Sequence, residues 1–143
     1  MKIKFPFRLE RSKIIENIYR PVAHVILING QNELSSVMYV DSGADVTVVP
    51  YSNGISLGFE INEKDEIKKL SGIGGSSISV IIRECTIKIG EKQFNGKIAW
   101  SLSEDVPLIL GRLDVFDRFK VTFDQKTKSQ YLSIRTDYLS SSA

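Results

Sequence analysis

The sequence predicts an all-β domain with one short helix, and three observations predict it. Runs of β-branched and aromatic residues alternate with polar ones at a period of two, the pattern of half-buried strands. Turn signals such as Asn29-Gly30 and Gly90-Glu91-Lys92 separate those runs at short intervals, which suggests a closed or sandwich-like sheet. Helical spacing is convincing over one segment only, Arg112 to Phe119. There Leu113 and Phe116 fall at i, i+3, and Val115 and Phe119 at i, i+4.

Taken in order, Lys2 to Leu9 alternates, with Ile3, Phe5, Phe7 and Leu9 on one side and Lys2, Lys4, Pro6 and Arg8 on the other. Pro6 has no N–H to give a ladder, so this is expected to be an edge strand. Ile18 to Ile28 is a longer apolar run, Asn29-Gly30 a hairpin signal, and Leu34 to Val40 the return strand. Val46 to Val49 reads as a short buried strand. Tyr51 to Phe59, with Asn53-Gly54 and Gly58, reads as irregular, and charged Asn62 to Lys69 as a solvated loop or strand edge. Glycines cluster at Gly72, Gly74 and Gly75, and a long β-branched strand follows. Gln93 to Trp100 is the next strand, and Leu108 to Leu110 a buried run ending in Gly111. Phe119 to Phe123 and Gln130 to Ile134 form a closing hairpin. The organisation expected is an N-terminal arm over 1–17, one domain over 18–135 and a frayed tail over 136–143.

Composition bounds the function. At 143 residues, with 42% hydrophobic and 25% charged, the chain suits one globular domain. A net charge of +2, with Lys and Arg scattered among acids, gives no footprint for nucleic acid. No run approaches the roughly 20 apolar residues of a membrane span, and "MKIKFPFRLERSK" has no signal-peptide core. Cys85 is the only cysteine, so no intrachain disulfide can form. It reads as a small buried apolar residue, and a cytoplasmic protein is expected. His24, the only histidine, lies in a strand-like run and reads as a strand-face residue. One Cys and one His make no zinc site. No metal or other cofactor is expected.

The stretch that carries chemistry is Val37 to Pro50, "VMYVDSGADVTVVP". Asp41 sits where a buried strand ends and the chain reverses, and Gly43 permits the tight turn. A carboxylate there is costly unless bonded, paired or used. The plain alternative is a capped turn, with Asp41 accepting from nearby amides. The glycines at 72–75 suggest either a hairpin tip or a phosphate-binding loop. The second needs a helix to follow, and "SSISVIIREC" is strand-like.

Three stretches then agree with one family. "DSGAD" at Asp41 to Asp45 resembles the catalytic signature of the retropepsins, the retroviral-type aspartic proteases. "SGIGG" at Ser71 to Gly75 resembles the tip of their flap hairpin. "LILGR" at Leu108 to Arg112 resembles their second signature, and "RPVAHVILING" at Arg20 to Gly30 their first long hairpin. The order and spacing also match. Ser42 stands where Thr is more usual, and keeps the hydroxyl. The arm before Ile18 and the hairpin after Phe119 go beyond the compact viral enzymes. The longer C-terminal hairpin is similar to cellular and microbial relatives.

The resemblance implies a closed retropepsin-like barrel with one short C-terminal helix and a flap, acting as a C2 homodimer. It implies an aspartic endopeptidase with Asp41, Ser42 and Gly43 catalytic. Aspartate-driven hydrolysis needs two carboxylates sharing a proton, and each chain supplies one, so Asp41 from each subunit would meet on a two-fold axis. Ala44, Asp45, Val46, Val48, Ser71, Gly72, Ile73, Gly74, Pro107 and Ile109 would contact an extended peptide in apolar pockets. Asp45 would pair with Arg112, and Arg20 would reach that cluster from the other subunit. The alternative function is an inactive retropepsin-like dimer that binds peptides without cleaving them. A third is a structural β domain with a chance motif. The implied partners are a second copy and a peptide or protein substrate, with neither nucleic acid nor membrane.

Overall fold

The structure is a computed structural model that describes residues 2–135, with the backbone alone at residue 73. The expected frayed tail, 136–143, lies outside the described residues. In chain order the elements are β1 (Lys2–Pro6), β2 (Arg8–Glu10), β3 (Ile18–Arg20), β4 (Val22–Asn29), β5 (Asn32–Val40), β6 (Thr47–Val49), α1 (Tyr51–Ser56), β7 (Lys68–Ser71), β8 (Ser77–Ile89), β9 (Lys92–Ser101), β10 (Ile109–Leu110), β11 (Phe119–Asp124) and β12 (Ser129–Ile134).

Most alternating runs form the strands expected of them, but Lys2 to Leu9 is not one strand: it breaks at Phe7 into β1 and β2, which lie in separate sheets. In β4, Ala23, Val25 and Leu27 are buried while His24 faces out and meets the Ser35 hydroxyl at 2.7 Å. In β8, Cys85, Ile87 and Ile89 repeat the same period. Both long hairpins close through two-residue turns that begin with glycine at positive φ, Gly30 at 62° and Gly90 at 59°. Backbone in that region disfavours any side chain.

Six strands close into a barrel in the order β4-β5-β10-β6-β9-β8, and β8 pairs back onto β4 through Ile26↔Lys88, Leu27↔Ile87 and Ile28↔Thr86. Closure leaves no unpaired edge within the ring. Leu27, Met38, Ile87, Ile98, Trp100 and Leu110 are fully buried in its core. Each such side chain contributes about 1.5–3 kcal/mol over leaving it exposed. The step that builds the site is the insertion of β10 between β5 and β6. It runs parallel to β5 through Ile109↔Tyr39 and Leu110↔Val40, and antiparallel to β6 through Ile109↔Val48. The chain between β5 and β6 must therefore bridge the strand that separates them, and that bridge is the Asp41 turn.

A second sheet, in the order β1-β12-β11, joins the two ends of the described chain. β1 is at its edge with Pro6 opposite Ser129, as the missing N–H requires. β2 and β3 pair as a separate ribbon, Arg8↔Arg20 and Glu10↔Ile18.

Two local expectations are corrected. Arg112 to Phe119 is a series of overlapping turns, not a helix. Asp114 takes a left-handed φ of 66°, and its carboxylate accepts from the Lys97 amide at 2.9 Å. That bond holds the backbone out of helical geometry. The apolar spacing still marks what is buried, since Val115 and Phe119 are 0% and 1% exposed. Among the described residues the α-helix is α1, in a stretch read as irregular. It fits because Gly54 lies against Trp100, whose indole N–H donates to the Tyr51 carbonyl at 3.0 Å.

Candidate active site

Asp41 follows the last residue of β5, and its amide donates to the Leu110 carbonyl at 3.0 Å. One carboxylate oxygen, Oδ1, accepts from the Gly43 amide at 2.9 Å, and the Ala44 amide donates to the Asp41 carbonyl at 3.2 Å. This is the aspartate-capped turn of the plain reading. It does more than cap, however, because the side chain stays exposed at the mouth of a cleft. A Cβ at Gly43 would come within 3.2 Å of Oδ1, so glycine keeps that side of the carboxylate clear.

The far end of the turn is stitched to the chain after β10. Arg112 and Leu113 amides donate to the Ala44 and Asp45 carbonyls, both at 2.9 Å. The Gly111 amide donates to the buried Thr47 hydroxyl at 3.1 Å. Arg112 Nη2 pairs with Asp45 Oδ1, as expected, but the two side chains are 54% and 83% exposed, so this is a surface pair in the subunit.

Asp41 opens into a cleft of about 610 Å³. Its floor is the turn, with Gly43, Ala44 and Asp45, and its wall is apolar, with Val46, Val48 and Ile109. The β7–β8 hairpin lines it with Leu70, Ser71, Gly72 and Ile78. The hairpin arms pair Leu70↔Ile78 and Ser71↔Ser77, and the Gly72 amide donates to the Ser76 carbonyl at 2.8 Å. A 3-10 turn over Ile73–Gly75 makes the tip, with Gly74 and Gly75 at φ 86° and 79°. A strand, not a helix, follows, so the phosphate-loop reading fails.

Most of the expected contact residues thus come together. Ser42 is exposed beside Asp41, and among the described residues its hydroxyl has no hydrogen-bond partner. Gly74 stands at the hairpin tip, outside the residues that line the cleft. Pro107 lines a second pocket, of about 570 Å³, that shares Asp41 and Ile109 with the first. Arg20 lines it too, bonded to Glu10 at 3.0 Å and not to the Asp45–Arg112 pair of its own chain. Glu10 is the centre of a small network. It accepts from the Tyr39 hydroxyl at 2.7 Å and from Arg8 at 2.9 Å. The Tyr39 hydrogen bond, reinforced by Arg8 and Arg20, holds its carboxyl below the usual range.

Sequence reasoning missed Leu70 and Ile78, although their alternation with the polar faces of β7 and β8 points them inward. It also missed Thr47, Glu10 and Tyr39, whose partners are distant in sequence. Among the described residues, no group of three or more His, Cys, Asp or Glu side chains is placed to hold a metal ion, and no helix is long and apolar enough to cross a membrane.

Comparison with known proteins agrees with this geometry. The family model described as "Retroviral aspartyl protease" matches residues 17–123. The fold is similar to that of a retropepsin-like aspartic protease from Rickettsia conorii, at 19% identity and a TM-score of 0.65, covering 92% of this chain and 98% of that one. It is also similar to the EIAV protease solved in complex with the inhibitor HBY-793, at 22% identity and a TM-score of 0.52, covering 65% of this chain and 82% of that one. No curated protein sequence matches the chain.

Proposed function

Since the chain belongs to the retroviral aspartyl protease family, we propose that it is an aspartic endopeptidase whose active site forms where two copies meet. The observation that carries this reading is the exposed Asp41 carboxylate at the mouth of an apolar cleft roofed by a glycine-tipped hairpin. One such carboxylate per subunit is half of the required pair, and a two-fold axis through the Asp41 turns supplies the other half. One Asp41 then acts as base toward the attacking water and the other as acid toward the carbonyl oxygen. Ser42, exposed and without a partner among the described residues, bonds across the axis and holds the two turns in register. The Gly43 carbonyl accepts from the substrate backbone.

The substrate lies extended between the turn and the hairpin, with alternate side chains in the two pockets beside Asp41. The amide at Ile73 grips its backbone, since the Gly72 amide is held by the Ser76 carbonyl within the hairpin, and Ser71, Gly72, Gly74, Ala44 and Asp45 border it. Closure of the hairpin excludes water from the reacting bond. Asp45 and Arg112 brace the turn close to the axis. Cys85, buried as a free thiol, is compatible with the cytoplasmic location expected from composition.

The test is cleavage of a mixed peptide library across pH, with and without a statine-type transition-state analogue. Cleavage that the analogue suppresses and that Asp41→Asn removes is the expected result. Tight binding of the analogue without any cleavage would instead identify a peptide-binding module.

A further inference from the structure

The small sheet β1-β12-β11 is largely an addition to the family segment, since β1 and β12 lie outside the matched residues 17–123. Its inner face carries Ile3, Phe5, Val121, Leu132 and Ile134 against the core. Strand alternation turns the residues between them outward. The register sets these in two rows, Lys2-Ser133-Lys120 and Lys4-Tyr131-Thr122. All three lysines are exposed, and none of them lines either pocket beside Asp41.

This outer face is positive and lacks a counter-charge. Among the described residues none of the three lysines has an ion-pair partner. Asp124, the acid in the next row, accepts from the Lys126 and Thr127 amides through Oδ1, at 3.1 and 3.2 Å. Lys2 and Lys4 are alternate residues of one strand, about 7 Å apart, and Lys120 is two strands from Lys2, about 10 Å. Like charges that close repel through physiological salt, so the face favours an anion. Single-stranded nucleic acid needs an open aromatic platform, and the Tyr131 ring has Lys2 Nζ over it, 4.4 Å from the centroid. A membrane surface calls for an apolar face beside the cations. Among the described residues Phe123 is the exposed large apolar residue of this sheet, and it stands in the row of Phe5 and Gln130, of the opposite parity. An extended polypeptide has the period of the face itself, because its alternate side chains repeat every ~7 Å, the Lys2 to Lys4 spacing.

We propose that this face is a docking surface for an acidic, extended segment of a partner polypeptide. Carboxylates on alternate residues pair with Lys2 and Lys4, and Lys120 takes a further one across Ser133. The Ser133 and Thr122 hydroxyls are donors beside them. A protein substrate held here by its acidic segment meets the cleft at a raised effective concentration. That use of the face rests on the protease reading; the docking itself does not.

The probe is a fluorescent peptide of alternating Glu and Ser, which offers no apolar side chain to the cleft, and its counterpart with Gln for Glu. Anisotropy titration of the full chain at low salt is expected to show the Glu peptide bound about tenfold tighter, as three exposed ion pairs together allow. The margin shrinks as salt rises. Combining Lys2→Gln, Lys4→Gln and Lys120→Gln removes it. The three side chains are exposed, so the melting temperature should hold. If the combined variant melts early, Lys4→Gln and Lys120→Gln tested singly must each lower the margin. Equal binding of the two peptides by the wild type overturns the proposal, as does an undiminished preference in the lysine variants. Tighter lysine-dependent binding of oligothymidylate or of phosphatidylserine vesicles than of the Glu peptide also overturns it, and reassigns the face. In cleavage assays, a Glu tract joined to a cleaved peptide should lower KM and leave kcat unchanged, and only with the lysines present. If no peptide is cleaved, the anisotropy titration still decides the docking.

Discussion

Gly111 lies so close to Val46 that a Cβ placed on it would fall 2.4 Å from the Val46 carbonyl carbon and oxygen. The contact is with backbone, which cannot swing aside as a side-chain tip would. It holds β10 between β5 and β6, and with it the turn that carries Asp41. Gly111→Ala is therefore expected to destabilise the fold by about 1–3 kcal/mol, the usual range for overpacking. It should also displace the Asp41 turn, so cleavage should fall further than the folded fraction does. Urea unfolding and specific activity of the folded protein measure the two effects. A variant as stable and as active as wild type would mean that this crossing does not position the site.

The Asp45–Arg112 pair calls for a smaller estimate than a buried pair would. At 83% and 54% exposure, it should contribute about 0–1 kcal/mol to the subunit. The backbone bonds from Arg112 and Leu113 to the same turn survive either substitution. Asp45→Ala and Arg112→Ala are thus expected to change subunit stability by under about 1 kcal/mol. If the proposed dimer covers the pair, each should weaken dimerisation more than that, and the double variant by less than the sum. Sedimentation at graded concentrations gives the dimer constant. Unchanged dimerisation in all three would place the pair outside the interface.

Burial pushes the Cys85 thiol up from 9.0 to about 11. Well below pH 9 it is protonated in folded and unfolded chains alike, and it carries no penalty. As pH rises from about 9 to about 11 only the unfolded chain ionises, so stability should fall across that window. Native protein should accordingly react slowly with a thiol reagent at pH 8 and fast once unfolded. Cys85→Ala should flatten the alkaline decline. Fast labelling of the folded protein would show that Cys85 is reached without unfolding.

What was legible in the sequence was local. Asp41, Gly43 and Gly72 announce turns through their own chemistry, and the alternation in β4 and β8 announces which face is buried. What was hidden depends on contacts far apart in the chain. Thr47 meets Gly111 across 64 residues and Tyr39 meets Glu10 across 29. Neither residue type in its own neighbourhood hints at a partner. The misplaced helix has the same origin. Asn53-Gly54 reads as a turn until Trp100 is placed against it, because an added Cβ there would lie 2.1 Å from the indole nitrogen. At Asp114 a single carboxylate bond to Lys97 outweighs a helical apolar period.

Asp41→Asn is expected to abolish cleavage and to tighten the dimer near neutral pH. In the subunit Asp41 is exposed, and among the described residues its carboxylate is bonded only through Oδ1, to the Gly43 amide. In the proposed dimer two such carboxylates face each other across the axis. At about 4 Å and an effective dielectric near 20, two full charges repel by roughly 4 kcal/mol. The dimer relieves this by holding one proton between them. It therefore binds more protons than two separate subunits at neutral pH. The sign follows from linkage: lowering the pH favours the dimer, and this support fades as the pH rises past the point where the shared proton leaves. Asparagine removes the charge at every pH, nearly keeps the shape and can still accept from the Gly43 amide. It cannot act as the base, so chemistry is lost. Dimer dissociation constants for both proteins, from mildly acidic to mildly basic pH, decide the matter. The wild-type curve should climb with pH while the Asn curve stays flatter. Parallel curves would mean that the two Asp41 side chains do not share a site, and the aspartate-pair mechanism would lose its basis.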